Sequence, residues 1–522
     1  MEKYIFYYQP GICINISPLV TRATAVQKNA HSIHDYQMNV KVSANNLITE
    51  LDLGSNVVRK KLKQIRLNAF TQCSICHHSK GQWKNPVDGS SLGYKEIDYW
   101  VKLAKKLEEG CFDALFLADV HGTYNVYKGS REAAVRHTVQ FPSNDPTLAI
   151  SAMAYATKNI GFACTYSTTY FHPYQTAKLF STLDHLTRGR VAWNIVTSYL
   201  ADANENFGLG GQMMEHDQRY DRADEYMEVT YQLWEHSWEE DAIVRDIQKD
   251  THTDPAKVHE INYKGNYFNV PGPHMCEPSP QRTPVLYQAG QSSRGLTFAS
   301  RHAEGVFGMF PTIEACKKAV TAYRDAAVKQ GRARDDIKIF PGVTVVVAET
   351  DAAAQKKVEE AKSYTSPEGS LALFCGWAGI DLADLDSTDN LVEMKTDAIQ
   401  GLLSALVVID PDREWSLQDV ADYMAIGSLM PKIIGSPSTV ADELEKWVDE
   451  TDCDGFNLVP VTQPSGFNDF VDLVVPELQK RKRMRTSYTG TTLRENYFGD
   501  GENRLRPGHP AHSSLPDWKK DK

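Results

Sequence analysis

The sequence contains no apolar run that approaches the roughly 20 residues a membrane-spanning helix needs. Its first residues also lack the basic start and the small-residue cleavage site of a secretory signal. A formal net charge of −11 at pH 7 argues against a nucleic-acid binder. We therefore expect a cytoplasmic protein whose partners include neither membranes nor nucleic acids.

Cysteine is too scattered for a disulfide framework or a four-ligand zinc site. No second Cys-x-x-Cys pair accompanies Cys73 and Cys76, and a structural zinc needs four ligands. The run from Cys73 to His77 matches the attachment pattern of c-type haem, but covalent haem attachment would be expected with export, and no second ligand motif is evident. We interpret the match as coincidental, and we expect no metal site, buried free thiols and a reducing compartment.

Glycine fingerprints of nucleotide-binding folds are missing too, since no Gly-x-Gly-x-x-Gly opens a helix and no phosphate-loop motif occurs. Instead, eight apolar runs alternate with helical patterns, which predicts an α/β fold, a closed (β/α)8 TIM barrel. The predicted strands are residues 65–70, 114–119, 160–166, 191–198, 284–290, 305–310, 339–349 and 455–461. The predicted helices are residues 94–109, 146–157, 173–186, 216–236, 292–302, 312–330, 352–361 and 439–450.

The same patterns divide the chain into three parts. Residues 1–60 show no repeating apolar face and are predicted to be a poorly ordered extension. Residues 61–496 are predicted to form the barrel, with insertions near 237–280 and 364–430 that are too long for simple connections. Residues 497–522 are predicted to be a C-terminal tail.

Polar side chains gather at the predicted strand ends, where a barrel of this type binds ligands. Asp119 ends the second strand, Thr165 ends the third, Asn194 lies on the fourth, and Ser292 and Ser293 follow the fifth. Each has an alternative role as a helix cap or as a partner for backbone groups. Because several strand ends are polar together, the pattern favours a bound heterocycle with several hydrogen-bonding edges.

A second signal is the amphipathic helix that begins at His216. His216 and Tyr220 lie four residues apart in its first turn, so they share one face. Helix N-termini attract anions, and another helix is predicted to begin near Ser292. The two helix starts predict a phosphate site, while a surface histidine beside a packed tyrosine is the alternative interpretation.

Several long motifs carry a resemblance to a known family. They are DALFLAD (113–119), TLDHLTRGRVAWNIVTS (182–198), HDQRYDRADEYMEVTYQLWEHSWEEDA (216–242), CEPSPQRTPVLYQAGQSSRG (276–295) and GTTLREN (490–496). Together they resemble the bacterial luciferase-like flavin monooxygenases, in the branch of the nitrilotriacetate and dibenzothiophene-sulfone monooxygenases. The resemblance implies a (β/α)8 barrel that uses FMN, reduced by a separate NAD(P)H:flavin reductase, and O2 to form a C4a-peroxyflavin and oxygenate a small substrate at C, N or S.

The resemblance also implies roles for individual residues. The family's FMN contacts fall on Asp119, Thr165, His216, Tyr220 and Ser292, with Asn194 and Ser293 as additional candidates. The loop after the first strand, where relatives often carry a histidine before Gly-x-Trp, here has His78 ahead of Gly81-Gln82-Trp83. We therefore expect His78 to lie beside the flavin C4a as the catalytic residue. Its alternative is a histidine that merely satisfies loop carbonyls.

Two further functions remain open from the sequence. The same barrel family includes deazaflavin-dependent enzymes that transfer hydride, and a non-catalytic flavin-binding relative is the third possibility. The nitrilotriacetate-type helix and GTTLREN (490–496) favour FMN. The resemblance implies a homodimer or tetramer, whereas the substrate is not readable from the sequence.

Overall fold

The computed structural model describes residues 62–210, 213–385 and 406–512, together with the antiparallel strand pair Val40–Lys41 and Glu50–Leu51. Apart from that pair, the predicted extension 1–60 lies outside the described residues, as do the last ten residues of the predicted tail. Residues 1–61 and 62–522 form two separate compact units. In the described part of the chain, no helix is long and apolar enough to cross a membrane.

Eight parallel strands close into a barrel, which confirms the predicted (β/α)8 class. The sheet has nine strands, eight of which form the closed ring: β1 Arg66–Gln72, β2 Ala114–Ala118, β3 Gly161–Ser167, β4 Val191–Val196, β5 Val285–Gln288, β6 Gly305–Gly308, β7 Lys338–Val347, β8 Lys432–Gly435 and β9 Gly455–Val459. Strands β1 to β7 pair in chain order, and β9 pairs with both β7 and β1. Strand β8 pairs with the last residues of β7 and stands outside the ring of eight.

The strands are buried on both faces, as their continuous apolar runs predict. Inward-facing aromatic side chains fill the barrel and contact one another. Phe70 packs against Phe116 and Phe307 with ring centroids 5.3 and 4.7 Å apart, and Tyr287 packs edge-on against Phe116. The interior is therefore a packed core, and ligands have room only at its ends.

The described residues form sixteen α-helices, which include all eight that the sequence predicts, with ends that differ by up to five residues. They are α1 Ser90–Gly93, α2 Ile97–Glu109, α3 Glu132–Arg136, α4 Pro146–Ala156, α5 Pro173–Thr187, α6 Ala201–Asn206, α7 His216–Tyr231, α8 Ser293–His302, α9 Ile313–Lys329, α10 Asp351–Ser363, α11 Pro367–Ala378, α12 Leu417–Met424, α13 Pro437–Thr451, α14 Ser465–Asp469, α15 Val475–Lys480 and α16 Leu493–Phe498. Side-chain caps fix several starts, since Ser292, Thr312 and Ser436 each accept a bond from a backbone N–H three residues on. Helix α7 ends at Tyr231 and continues as a π-helical turn, Gln232–His236.

The two predicted insertions have structure of their own. The first contains two small antiparallel pairs, Ile243–Asp246 with Thr251–Thr253 and Tyr263–Lys264 with Asn269–Val270. The second contains α11 and α12, and its residues 386–405 lie outside the described residues. Strand β8, just after this insertion, is not among the predicted strands, because its four residues are too short to give a period.

The C-terminal segment packs against the barrel. Arg494 of α16 is fully buried, and its guanidinium donates to both carboxylate oxygens of Glu304 at 2.7 and 2.8 Å. Tyr497 reaches the barrel interior, where its hydroxyl donates to the side chain of Asn68 at 3.0 Å. The predicted boundary at residue 496 therefore falls inside α16, and residues as far as His512 contact the barrel helices or one another.

We predict that Arg494→Ala lowers the free energy of unfolding by about 3–5 kcal/mol, because the buried carboxylate of Glu304 then loses its ion-pair partner. Arg334→Ala is the control, since Arg334 pairs with Asp325 on the surface and such pairs contribute about 1 kcal/mol or less. Urea unfolding followed by tryptophan fluorescence measures both variants. Equal, small losses would show that the buried pair does not anchor the C-terminal segment.

We also predict that removal of residues 1–60 leaves the melting temperature of the protein nearly unchanged. These residues lack a repeating apolar face, so they are expected to bury little surface. Residues 1–61 and 62–522 also form separate compact units. Differential scanning fluorimetry of the full-length and truncated proteins tests this, and a fall of many degrees would mean that the extension stabilises the barrel.

Candidate active site

A cavity of about 300 Å³ lies at the carboxyl ends of β2 to β5. This is the end of the barrel where strand-end side chains converge on ligands. Four of the predicted site residues line the cavity: Asp119, Thr165, His216 and Tyr220. The apolar part of its wall comes mainly from Val120, Ile195, Leu200 and Ala203. Asn194, Ser292, Ser293 and His78 are not part of this lining.

One end of the cavity is formed by the starts of two helices. His216 begins α7, and its Nε2 lies 3.3 Å from the Oγ of Ser292, the N-cap of α8. The Tyr220 hydroxyl lies within hydrogen-bond reach of Ser292 and of the Gln288 amide. Burial raises the pKa of Tyr220, so its hydroxyl keeps its proton. The arrangement places hydroxyl and imidazole groups beside two helix N-termini, which suits an anion.

Glycine is required where the chain turns from β5 into α8. A Cβ atom on Gly290 would lie 2.4 Å from the Tyr220 hydroxyl, and one on Gly295 would lie 2.9 Å from it. The Gly295 backbone N–H donates to the Ser292 Oγ at 3.0 Å. The small residues of the QAGQSSRG turn therefore let the α8 N-terminus approach Tyr220. Ser293, one residue further, is exposed in the first turn of α8.

The carboxyl group of Asp119 lies in the opposite part of the cavity. Burial, reinforced by the nearby carboxylate of Asp145, raises its pKa to about 8. One of its oxygens accepts the Val120 N–H at 2.9 Å, and the other lies 3.8 Å from Nε2 of His121. Asp119 is therefore protonated at neutral pH, and it can both donate and accept a hydrogen bond.

Thr165 and Asn194 form a pair on neighbouring strands. The Asn194 amide nitrogen donates to the Thr165 Oγ1 at 2.9 Å, so the Thr165 hydroxyl proton is left free for another acceptor. The Asn194 side-chain oxygen is buried and has no hydrogen-bond partner among the described residues. A buried polar atom without a hydrogen-bond partner lowers the stability of the fold. The pair therefore supplies both a donor and an acceptor beside the cavity.

His78 lies over the barrel core. Its Nδ1 is 2.9 Å from the Ser428 hydroxyl, and its ring is 5.6 Å from that of Phe70 and 5.9 Å from that of Trp377. Burial, with the neighbouring Lys80 charge, lowers its pKa to about 3. The His78 imidazole is therefore neutral at physiological pH.

Three further residues connect the cavity to the surroundings of His78, and none of them is among the predicted site residues. The Tyr199 hydroxyl, on the cavity wall, lies 2.7 Å from that of buried Tyr124, and the Trp377 indole N–H donates to Tyr124 at 3.3 Å. Tyr199 belongs to the polar strand end Thr197-Ser198-Tyr199, which is a visible signal. Tyr124 and Trp377 carry no local pattern, because the tertiary fold alone brings them together.

The Cys73–Cys76 segment packs as ordinary buried thiols. The Cys76 thiol donates to a carboxylate oxygen of Asp88 at 2.9 Å and lies 3.3 Å from the Ser90 hydroxyl. Burial raises the pKa values of both Cys73 and Cys76. Both thiols are thus held in the protonated form, which is a poor metal ligand.

Known proteins share this fold and are similar in sequence over most of the chain. The profile of the family described as luciferase-like monooxygenase matches residues 78–451. Dimethyl-sulfide monooxygenase from Hyphomicrobium sulfonivorans is 48% identical over 86% of this chain and 93% of its own. Long-chain alkane monooxygenase from Geobacillus thermodenitrificans is 49% identical over 86% of this chain and 97% of its own. Nitrilotriacetate monooxygenase component A from Aminobacter aminovorans is 36% identical over 83% of this chain and 96% of its own.

Solved structures agree. The crystal structure of DmoA from Hyphomicrobium sulfonivorans is similar with a TM-score of 0.83, 47% identity and coverage of 87% of this chain and 97% of that one. Riboflavin lyase (RcaE), solved with modified FMN and riboflavin, is similar with a TM-score of 0.79 and 35% identity over 87% of this chain and 100% of its own. The chain therefore belongs to the luciferase-like monooxygenase family and is a flavin-dependent monooxygenase.

Proposed function

We propose that the protein is the oxygenating component of a two-component system, which binds FMN reduced by a separate NAD(P)H:flavin reductase and oxygenates a small organic substrate. The observation that carries the proposal is the convergence of His216, Tyr220 and Ser292 at two helix N-termini on one cavity. A cofactor without phosphate would not need this anion site. The proposal extends to a homodimer or tetramer, as the family resemblance implies.

The residues of the cavity fit FMN in their donor chemistry. Tyr220, Ser292 and His216, with the N–H groups of two helix starts, would hold the phosphate. Asp119, protonated at neutral pH, and the Thr165–Asn194 pair would hydrogen-bond the polar edge of the ring system. The unpartnered Asn194 oxygen supports this assignment, because a ring N–H would satisfy it. Ser293 would contribute to phosphate binding only through its position in the first turn of α8.

Reduced FMN, when bound, supplies the activation of O2. The chain has to exclude water and to control the proton near the reacting atoms. Phe70, Trp377 and His77 enclose His78 in a dry environment. We assign His78 the role of a neutral hydrogen-bonding group at the reacting oxygen, held in one orientation by Ser428. Its low pKa makes it a hydrogen-bonding group rather than a cationic acid.

We propose an uncharged, largely apolar substrate, oxygenated at sulfur or carbon. Part of the cavity wall is aliphatic and aromatic, beside the polar side chains of His121, Thr197, Ser198 and Arg219, and its buried carboxyl group, Asp119, is protonated at neutral pH. Dimethyl-sulfide and long-chain alkane monooxygenases, named for such substrates, are more similar to this chain than nitrilotriacetate monooxygenase component A is. Membership of the narrower nitrilotriacetate and dibenzothiophene-sulfone branch remains a proposal that rests on the shared motifs.

We predict that the double variant Tyr220→Phe with Ser292→Ala binds reduced FMN about a hundredfold more weakly or worse, because each charge-assisted contact contributes roughly 1.5–3 kcal/mol. Anaerobic titration with reduced FMN, followed by tryptophan fluorescence, gives the dissociation constant. Tyr155→Phe is the matched control, since Tyr155 is 94% exposed on α4 and far from the strand ends. Unchanged affinity in the double variant would remove the phosphate from this position.

We predict that His78→Ala keeps the affinity for reduced FMN within a few-fold and releases hydrogen peroxide in place of product. The reason is that His78, which contacts Ser428 and Phe70, is proposed to act at the reacting region and is not part of the proposed phosphate end. Peroxide release is measured against product formation with dimethyl sulfide and short alkanes as test substrates. His137→Ala, a partly buried histidine paired with Glu368, is the control. Normal coupling in His78→Ala would contradict the role, and a matched loss of FMN binding would make His78 a cofactor ligand.

A further inference from the structure

A second cleft lies on the outside of the barrel, away from the flavin cavity. It has a volume of about 290 Å³, close to the lower end of the range, about 300 Å³ and above, in which proteins hold small ligands. Strands β7 and β8 form its base, and α10 and α12 form its sides. The apolar part of the lining is Val346, Val358, Ile426 and Ile434.

A lysine without an acidic partner lies in this cleft. The Lys432 Nζ donates to the carbonyl oxygens of Ser428 and Met430 at 3.1 and 3.2 Å and lies 3.4 Å from the centre of the Tyr423 ring. Among the described residues, no carboxylate comes within ion-pair distance of it. The Thr344 hydroxyl, at the base of the same cleft, is buried without a hydrogen-bond partner in the described part of the chain.

The other charged groups of the cleft have partners of their own. Arg413 pairs with Asp419, and Lys362 pairs with Glu359 at 3.0 Å. Asp422, exposed on α12, accepts a hydrogen bond from Gln418 at 2.9 Å and has no cationic partner among the described residues. On its buried side, the cleft therefore combines an apolar wall with a lysine that has no acidic partner and a buried hydroxyl that has no hydrogen-bond partner. That combination fits a monoanion with a short apolar chain.

The cleft is connected to His78 through one residue. The backbone carbonyl of Ser428 accepts a hydrogen bond from the Lys432 ammonium, while the hydroxyl of the same residue lies 2.9 Å from His78 Nδ1. The loop between them is tightly packed, because a Cβ on Gly427, where φ is +71°, would lie 2.0 Å from the Thr344 Oγ1. A change in the position of Lys432 therefore acts on a loop that has little room to absorb it.

We propose that this outer cleft binds a small aliphatic carboxylate through Lys432, and that binding alters the environment of His78 by way of Ser428. The carboxylate of the ligand would accept hydrogen bonds from the Lys432 ammonium and from the Thr344 hydroxyl. The aliphatic chain of the ligand would lie along the apolar wall. Binding to the cleft is independent of the proposed function. Only the expected effect on oxygenation rests on the proposed function, because that effect depends on the role proposed for His78.

The first test is direct binding of hexanoate, measured by isothermal titration calorimetry on the full-length protein. Hexanol and hexylammonium have the same chain without the negative charge, and they are expected to bind at least tenfold more weakly. Lys432→Met should weaken hexanoate binding by a similar factor, while Lys432→Arg should retain most of the affinity for hexanoate. Lys446→Met is the matched control, since Lys446 is a surface lysine of α13. Equal affinity for all three ligands, or for wild type and Lys432→Met, would overturn the site.

The pH dependence gives a second readout that does not depend on folding of a variant. Burial lowers the pKa of Lys432 to about 7, so the ammonium is lost as the pH rises through that value, and the anion must then bind a neutral amine. Hexanoate should bind roughly twenty-fold more weakly at pH 8.5 than at pH 6.5. The titratable and charged groups that share the cleft are Lys362, Arg413, Asp419, Asp422 and Tyr423, and the pKa of Tyr423 is raised by burial to about 12. A pH-independent affinity would exclude Lys432 as the anion partner.

The connection to His78 is tested by NMR of protein labelled with 15N-histidine. The His78 ring signal is identified by its absence in His78→Ala. Saturating hexanoate should shift that signal in the wild type and leave it unchanged in Lys432→Met. Binding without a shift would overturn the connection and keep the site. Both outcomes are independent of turnover, so they are distinguishable from a failure of the proposed monooxygenase function.

Discussion

The hydrogen-bonded pairing of β9 with β1 closes the barrel, and the position of each site residue depends on that closure. Side-chain bonds reinforce the closure inside the ring, where the Asn68 amide donates to Asn457 at 2.8 Å. Asp113 holds the same region by accepting the Leu67 N–H and pairing with Arg66. Because all eight strands are parallel, closure brings all their carboxyl ends to one rim. Residues more than 150 positions apart in the chain, such as Asp119 and Gln288, thereby share one cavity wall.

Burial then determines the protonation of the groups at this rim. It raises the pKa of Asp119 to about 8 and lowers that of His78 to about 3, so both are neutral at physiological pH. Tyr220 likewise keeps its proton. The pair of helix N-termini supplies an anion-attracting region whose partial charge comes from the backbone and does not titrate, and the guanidinium of Arg219 also lines the cavity. This division suits a flavin monooxygenase, in which the phosphate is held by dipoles and donors while the reacting end stays dry and uncharged.

The second insertion gives this barrel features that the ring of eight strands alone would lack. Trp377 of α11 packs beside His78 and reaches Tyr124. Ser428, after α12, holds the His78 ring on one side and the Lys432 ammonium on the other. The loop that contains Ser428 therefore contacts both His78 and the outer cleft. Its tight packing against Thr344 makes it suited to transmit small displacements.

The sequence by itself determined the fold class and indicated four residues that line the cavity. Eight apolar runs predicted the eight strands, and the spacing of His216 and Tyr220 with the QAGQSSRG turn predicted the two helix starts that meet. These features are local, since each depends on periodicity or capping within one segment. Only the tertiary structure decided the rest. It placed His78 against Ser428, joined Tyr199 to Tyr124 and Trp377, extended the barrel contacts past residue 496, and opened the cleft at Lys432. Those contacts join side chains that are far apart in the chain or depend on burial. Local sequence patterns indicate neither property.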